Sequence, residues 1–224
     1  MNDDPCQVGS SPGNLITLPE DAYRLEHRGN FRLLSLVSAD GMNRLTRAHA
    51  MALTDAIRRL SLEPRPLVIF GGPIFSVGAD LNEIAKLTGS EALEFARMGQ
   101  ALMSAIADFP APVYAAINAY CMGGGLDVAL ACHRRIASPH AVFGHRGAAL
   151  GLMTGWGGTQ RLPRVIGKTK TLEMLVTAEK IHAKEALRLG LVDALAEDPV
   201  EYAARDIDAF VARTGTADSW LPSE

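Results

Sequence analysis

The sequence predicts a layered α/β fold with a largely parallel sheet, because short apolar runs alternate with segments of helical periodicity. The apolar runs at residues 31–37, 67–70 and 113–117 have the length and composition of buried strands. The second and third of these runs lead directly into glycine-containing turns. Neither charge nor composition changes abruptly along the 224 residues, so a single domain is expected.

Helical patterns lie between the predicted strands. Apolar residues recur at helical spacing over residues 48–60, and Thr46 is the expected N-cap. Ser90 is expected to cap the next helix, which ends before a pair of prolines. A buried helix is predicted over residues 126–132, directly after the second glycine turn. Strand, turn and helix therefore follow one another repeatedly, as a parallel sheet requires.

The two ends of the chain are expected to differ in structure from its middle. Glycine and proline punctuate the first twenty residues and indicate a flexible tail. Beyond residue 140, helices are predicted over 168–177, 183–189 and 201–213. We therefore expect three parts: a tail over residues 1–20, a core over 21–195, and a short helical segment over 196–224.

Composition argues against several classes of function. The net charge is −3 and there is no long basic run, so neither nucleic acid nor an anionic membrane surface is an expected partner. The three cysteines lack metal-ligand spacing, and no metal site is expected. The acidic N-terminus has no apolar signal region, and no apolar stretch is long enough to span a bilayer. A cytoplasmic location is the expectation.

Two glycine turns carry the strongest functional signal. One spans residues 77–80 and the other residues 123–125, each at the carboxyl end of a predicted strand, where parallel sheets bind ligands. Glycine lets the backbone approach a ligand closely, and helix N-termini present unpaired N–H groups. Together the turns predict a site for an oxygen that becomes anionic. The alternative is that these glycines only permit tight packing.

Five separate motifs resemble the enoyl-CoA hydratase/isomerase (crotonase) superfamily. The first is F-S-V-G-A-D-L at residues 75–81, which is similar to the F-S-x-G-A-D-L turn of that family. The match covers roughly residues 30–195, in register, and such a combination is highly specific. The other motifs are A-I-N-A-Y-C-M-G-G-G at 116–125, F-G at 143–144, G-W-G-G-T-Q-R-L-P-R at 155–164 and I-G-K at 166–168.

The resemblance implies a crotonase fold, a spiral of stacked ββα units, and a coenzyme A thioester as substrate with no separate cofactor. By the same resemblance, the backbone N–H groups of Ala79 and Gly124 would form an oxyanion hole. Family members are typically trimers or dimers of trimers, so a homo-oligomer is expected. Further substrate-binding residues implied in this way are Gly78, Asp80, Leu81, Gly123, Gly147 and Trp156.

The sequence departs from the family at its two catalytic glutamates. The first position holds Asp127, a shorter carboxylate, and the second holds Gly147, which has no acid group. His145 lies beside the missing glutamate and is a candidate acid or base, because histidine titrates near neutral pH. Each has a structural alternative: Asp127 is favourable in a first helical turn in any case, and His145 could bond only to solvent or backbone. Arg146 would suit a phosphate or carboxylate, or simply be solvated.

A second departure is length, because the family usually continues for several helices after the segment that matches residues 191–192. This sequence has room for about one, so a shortened C-terminal helical region is expected. The expected function is an acyl-CoA enzyme of hydratase or isomerase type. The alternatives are a homologue that binds acyl-CoA without catalysis, and another crotonase reaction such as thioester hydrolysis or decarboxylation.

Overall fold

A computed structural model describes residues 22–214. Its strands are β1 (Tyr23–Arg28), β2 (Phe31–Leu36), β3 (Arg44–Leu45), β4 (Leu67–Phe70), β5 (Gly78–Ala79), β6 (Val113–Ile117), β7 (Tyr120–Met122), β8 (Arg134–Ala137), β9 (Val142–Gly144), β10 (Lys180–His182) and β11 (Ala194–Leu195). Its helices are α1 (Arg47–Leu60), α2 (Leu81–Ile84), α3 (Gly89–Ala107), α4 (Gly124–Ala131), α5 (Gly158–Ile166), α6 (Lys168–Thr177), α7 (Ala183–Arg188) and α8 (Pro199–Thr214), with a 3-10 turn at Ala148–Leu150.

A six-stranded sheet forms the centre of the fold, in the order β1-β2-β4-β6-β8-β11. Every neighbouring pair in it is parallel except β1 with β2, which form an antiparallel hairpin. The predicted α/β class with a largely parallel sheet is therefore confirmed. Strand β1 was not predicted, because five of its six residues are exposed and it has no buried apolar run.

Both faces of this sheet are covered, since successive residues of a strand point to opposite faces. Leu34 of β2 packs in the larger core with helices α1, α3 and α4. Leu33 packs in a second cluster, where Ala203 and Ile207 of α8 cover the other face. Helix α8 is also held there by polar contacts, because Asp206 accepts hydrogen bonds from the Tyr114 hydroxyl at 2.7 Å and from Arg134 at 2.6 Å.

Two smaller sheets lie where the main strands end. One has the order β10-β9-β7, and the other pairs β3 with β5. A β-bridge between Ser76 and Cys121 joins the segment before β5 to β7. The smaller sheets therefore bring the two glycine turns next to each other.

The helix boundaries refine the sequence predictions. Thr46 caps α1 as expected, and its hydroxyl accepts from the His49 N–H at 3.2 Å. The predicted N-cap at Ser90 is wrong: Thr88 caps α3 through a reciprocal capping box with Glu91. In the box, the Thr88 hydroxyl accepts from the Glu91 N–H and the Glu91 carboxylate accepts from the Thr88 N–H. Both N–H groups thus have acceptors, which explains why the helix begins earlier than predicted. Helix α4 also begins two residues earlier than predicted, at Gly124.

The predicted tail over residues 1–20 and the end of the predicted helical segment, residues 215–224, lie outside the described residues. Within residues 22–214, no helix is long and apolar enough to cross a membrane. In that same part of the chain, no group of three or more His, Cys, Asp or Glu side chains is placed to hold a metal ion.

Candidate active site

A mostly apolar cavity of about 500 Å³ opens beside the N-terminus of α4. Its walls come from the β5–α3 segment, from α4 and from the loop between β9 and α5. Polar groups are few among its lining residues, which makes their positions informative. Its apolar lining includes Leu81, Ile84, Phe95, Met122, Leu152 and Trp156.

The two glycine turns contact each other through their backbones at one wall of this cavity. Gly78 has a φ of +95°, and a Cβ added to it would lie 2.7 Å from the Met122 carbonyl oxygen and 2.8 Å from the Gly124 nitrogen. A Cβ added to Gly124 would lie 3.3 Å from the Ala79 nitrogen. Only glycine fits at Gly78, because any side chain would separate the two turns.

The backbone nitrogens of Ala79 and Gly124 lie close together where the two turns meet. Gly124 is the first residue of α4, so its N–H has no partner within the helix. Ala79 follows Gly78 in β5, and its nitrogen lies 3.3 Å from the position of a Cβ added to Gly124. Both Ala79 and Gly124 line the cavity. Two neighbouring backbone nitrogens therefore lie at its wall.

A buried polar cluster lies further along α4. The Asp127 side chain is 3% exposed, and its Oδ1 lies 3.1 Å from Nε2 of His145. Its other oxygen, Oδ2, accepts from the Thr154 hydroxyl at 2.8 Å. All three residues line the cavity. Asp127 and His145, which were predicted as alternatives, thus form one hydrogen-bonded pair.

Thr154 is a site residue that the sequence does not predict. It lies 27 residues beyond Asp127, in the irregular loop between β9 and α5, and nothing in its local sequence marks it. The only available signal was its place one residue before the G-W-G-G motif, which already pointed to this loop.

The N-terminus of α5 packs against the Asp127–His145 pair. A Cβ added to Gly158 would lie 2.5 Å from Asp127 Oδ1 and 3.0 Å from His145 Nε2. The helix can approach this closely only with glycine at that position. Its N-terminal partial positive charge then lies beside the carboxylate, an arrangement that favours the negative charge.

Gly147 lies at the cavity, but no side chain could project from it. The N–H groups of Leu150 and Leu152 both donate to its carbonyl at 2.8 Å, which closes the loop onto it. A Cβ added to Gly147 would lie 2.7 Å from the Leu152 carbonyl oxygen. The neighbouring Arg146 is exposed on the cavity wall.

Trp156 is buried between α3 and α4. Its Nε1 donates to the Phe95 carbonyl at 3.2 Å, and the two rings lie 5.3 Å apart. A Cβ added to Gly99 would lie 2.1 Å from Trp156 Nε1, and one added to Gly124 would lie 2.7 Å from its Cζ3. The indole therefore fills the space left by two glycines and forms the wall next to the Gly124 amide.

The remaining predicted substrate-binding residues divide into two groups. Leu81 and Gly123 line the cavity, whereas Gly78 and Asp80 do not. Gly78 sets the contact between the turns, and Asp80 caps α2 by accepting from the Asn82 N–H at 2.7 Å. Asp80 therefore supports the wall from outside the cavity.

Comparison with known proteins identifies relatives of this arrangement. Residues 32–217 match the family model described as enoyl-CoA hydratase/isomerase. The solved structure of DspI from Pseudomonas aeruginosa is 36% identical with a TM-score of 0.80, over 86% of this chain and 75% of that one. An enoyl-CoA hydratase from Thermoplasma volcanium is 30% identical with a TM-score of 0.80, over 85% and 77% of the two chains. An enoyl-CoA hydratase from Bacillus anthracis is 29% identical with a TM-score of 0.77, over 86% and 76%.

Proposed function

Because this chain belongs to the enoyl-CoA hydratase/isomerase family, we propose that it is an acyl-CoA thioester enzyme of the hydratase or isomerase type. The family match also confirms the crotonase fold that the sequence motifs implied. One observation supports the proposal above all others. The backbones of Ala79 and Gly124 and a buried Asp–His pair line the same apolar cavity.

In the proposed reaction, the N–H groups of Ala79 and Gly124 bind the thioester oxygen. Removal of a proton from the carbon next to the carbonyl moves an electron pair onto that oxygen and forms an enolate. Backbone donors held in place before the reaction stabilise such a charge without reorganising, and each is worth about 3–4 kcal/mol in comparable sites. The indole ring of Trp156 packs directly against Gly124 and supports this wall of the cavity.

The Asp127–His145 pair provides the proton transfer. Imidazole can take the proton from the substrate and return it to another carbon, so that the base is regenerated. The adjacent carboxylate stabilises the imidazolium that forms in between. These proton transfers need no oxidant, reductant or metal, and coenzyme A takes part only as a portion of the substrate.

The apolar lining supports an acyl group as the part of the substrate held in the cavity. Among the lining residues, Phe95 and Trp156 are buried, whereas Leu152 and Met153 are exposed. Burial of a chain against such a surface contributes about 0.8 kcal/mol for each methylene. We also propose a cytoplasmic homo-oligomer, a trimer or a dimer of trimers, as the state in which the enzyme works.

The structure of the loop at Gly147 is compatible with two alternative functions. Leu152 occupies the space where a second carboxylate would have to project. Water addition by two carboxylates therefore has no counterpart here. A homologue that binds acyl-CoA without turnover is one alternative. Another is a different crotonase reaction, thioester hydrolysis or decarboxylation, which uses the same two N–H groups.

Exchange of the substrate α-proton tests the proposal directly. The protein is incubated with butyryl-CoA in deuterated water, and incorporated deuterium is measured by mass spectrometry. We expect exchange with the wild type, and a loss of about 10²–10⁴-fold in His145→Gln, the range typical of a general base. His140→Gln, in which an exposed histidine is replaced, is the matched control and should exchange normally.

The outcomes separate the alternatives. Binding of the thioester without exchange or hydrolysis would identify a non-catalytic homologue. Release of free coenzyme A would identify a hydrolase. Failure to bind any coenzyme A thioester, measured as no thermal stabilisation at saturating ligand, would overturn the acyl-CoA assignment itself.

A further inference from the structure

Both oxygens of the Asp127 carboxylate are already hydrogen-bonded in the folded protein. Oδ1 lies 3.1 Å from His145 Nε2, and Oδ2 accepts from Thr154 at 2.8 Å. Starting from the function proposed above, we infer that His145 Nδ1 is the atom that accepts the substrate proton. In this arrangement Asp127 orients His145, and Thr154 is a positioning residue that acts through Asp127.

The donor and acceptor types determine these roles. An ionised carboxylate only accepts hydrogen bonds, so Nε2 of His145 must carry the hydrogen that it shares with Asp127. In a neutral imidazole the other nitrogen, Nδ1, then holds the lone pair. Each oxygen of Asp127 already accepts one hydrogen bond, and the carboxylate is held between His145 and Thr154. His145 can take a substrate proton at Nδ1 without breaking either contact.

Thr154 fixes the carboxylate in the orientation that this tautomer needs. Asp127 is buried, so Oδ2 without the Thr154 hydroxyl would have no partner among the contacts described and would carry a desolvation cost. The carboxylate would then rotate to satisfy both oxygens differently. On the opposite side of the carboxylate, α5 packs closely against Oδ1 at Gly158. The hydrogen bond from the Thr154 hydroxyl to Oδ2 is therefore the contact that a substitution can remove without disturbing that packing.

A hydroxyl that served only local stability would have a different effect. It would lower the melting temperature when removed, and it would leave the tautomer of His145 unchanged. Imidazole ¹⁵N chemical shifts distinguish the two tautomers and do not depend on any substrate. This measurement therefore tests the arrangement even if the enzyme acts on another thioester.

The test compares Thr154→Val, which keeps the shape but removes the hydroxyl, with Thr154→Ser, which restores it. Thr171→Val is the matched control, because Thr171 is also buried and its hydroxyl has no hydrogen-bond partner within the described residues. The His145 signal is assigned from its absence in His145→Gln. In Thr154→Val we expect the Nε2–H form of His145 to decrease, while Thr154→Ser and Thr171→Val keep the wild-type spectrum.

Kinetics provide the second readout. We expect kcat for α-proton exchange to fall about 10- to 100-fold in Thr154→Val, the range for residues that orient a reacting group, with KM within about twofold of wild type. An unchanged His145 tautomer in Thr154→Val would overturn the inference. If Thr154→Val does not fold, Thr154→Ala is measured in the same way. A changed tautomer without turnover of any thioester would instead refute the proposed function and leave the positioning role intact.

Discussion

Gly147 shows at the scale of one residue how a family position can be closed to its usual chemistry. The absence of a carboxylate there could be read from the sequence. What could not be read is that the Leu152 carbonyl lies where a side chain would begin, 2.7 Å from an added Cβ. The loop has therefore adopted a shape that a single substitution cannot reverse.

Gly147→Glu is accordingly expected to lower stability and to give no gain in hydration. Overpacking of this kind costs about 1–3 kcal/mol, measured here by urea unfolding, and crotonyl-CoA hydration is assayed in parallel. Gly89→Ala is the control, because nothing lies within 4 Å of an added Cβ and its φ is not positive, so stability should be kept or raised. A folded Gly147→Glu protein with faster hydration would contradict our account of the loop.

The site residues differ in how far the sequence could predict them. The turns at strand ends predict an oxyanion site, and the family resemblance assigns that site to Ala79 and Gly124. The resemblance also points to the position of Asp127, and His145 lies beside the second position. Their hydrogen bond to each other depends on how α4 packs against the segment after β9, which no local pattern records. Thr154 depends in addition on a loop without regular structure, so its contact with Asp127 emerges only from the tertiary fold.

At the scale of elements, His133 connects the end of α3 to the start of β6. Its Nδ1 accepts from the Val113 N–H at 2.9 Å, so its Nε2 carries the hydrogen that it donates to the Ala107 carbonyl at 3.1 Å. Both ring nitrogens are used in the neutral form. Burial lowers the pKa of His133 below its usual value. A protonated ring would lose the bond from Val113, so this connection needs the neutral imidazole.

His133 should therefore make stability sensitive to mild acid. Below about pH 6.5 the unfolded chain binds a proton at His133 that the folded chain resists, so stability falls as the pH drops. We expect the free energy of unfolding to decrease between pH 7.5 and 5.5, and to decrease less in His133→Gln. His27→Gln, on the exposed strand β1, should keep the wild-type pH dependence. Equal pH dependence in His133→Gln and wild type would refute this role.

Helices and strands could be predicted from the sequence where they are buried, because burial requires a pattern of apolar residues. Strands β4 and β6 are continuous apolar runs covered on both faces, and they appear where predicted. Strand β1 is mostly exposed, and β3 and β5 are two residues long, so none of them leaves a periodic signal. Thr88 and Ser90 are both hydroxyl residues near the start of α3, and the sequence pattern did not separate them. The hydrogen bonds between Glu91 and Thr88 make Thr88 the N-cap.

At the scale of the whole molecule, apolar side chains remain exposed near the cavity and on α6. Leu172 and Val176, four residues apart on one face of α6, are 65% and 63% exposed. Met153 at the cavity is 64% exposed. Such surfaces mark interaction sites when they are contiguous. We therefore expect these side chains to take part in the subunit contacts of the proposed oligomer.

Light scattering during gel filtration checks that expectation. We expect a mass three or six times that of one chain, and a shift towards the monomer in Leu172→Glu, because a buried charge at an interface is costly. Leu62→Glu places the same charge on a leucine that is 82% exposed, two residues beyond α1, and it should leave the mass unchanged. A wild-type protein that elutes as a monomer at all concentrations would contradict the oligomer.

The contact between the Gly78 and Gly123–Gly124 turns has a consequence for how this protein can change over generations. The two N–H groups at the cavity wall belong to the main chain, which every amino acid except proline supplies. Mutation can therefore replace the acid–base side chains one at a time while the carbonyl-binding half persists, provided that Gly78 and Gly124 keep the two turns in contact. New reactions on the same class of substrate can arise by exchanging the groups around a constant anchor.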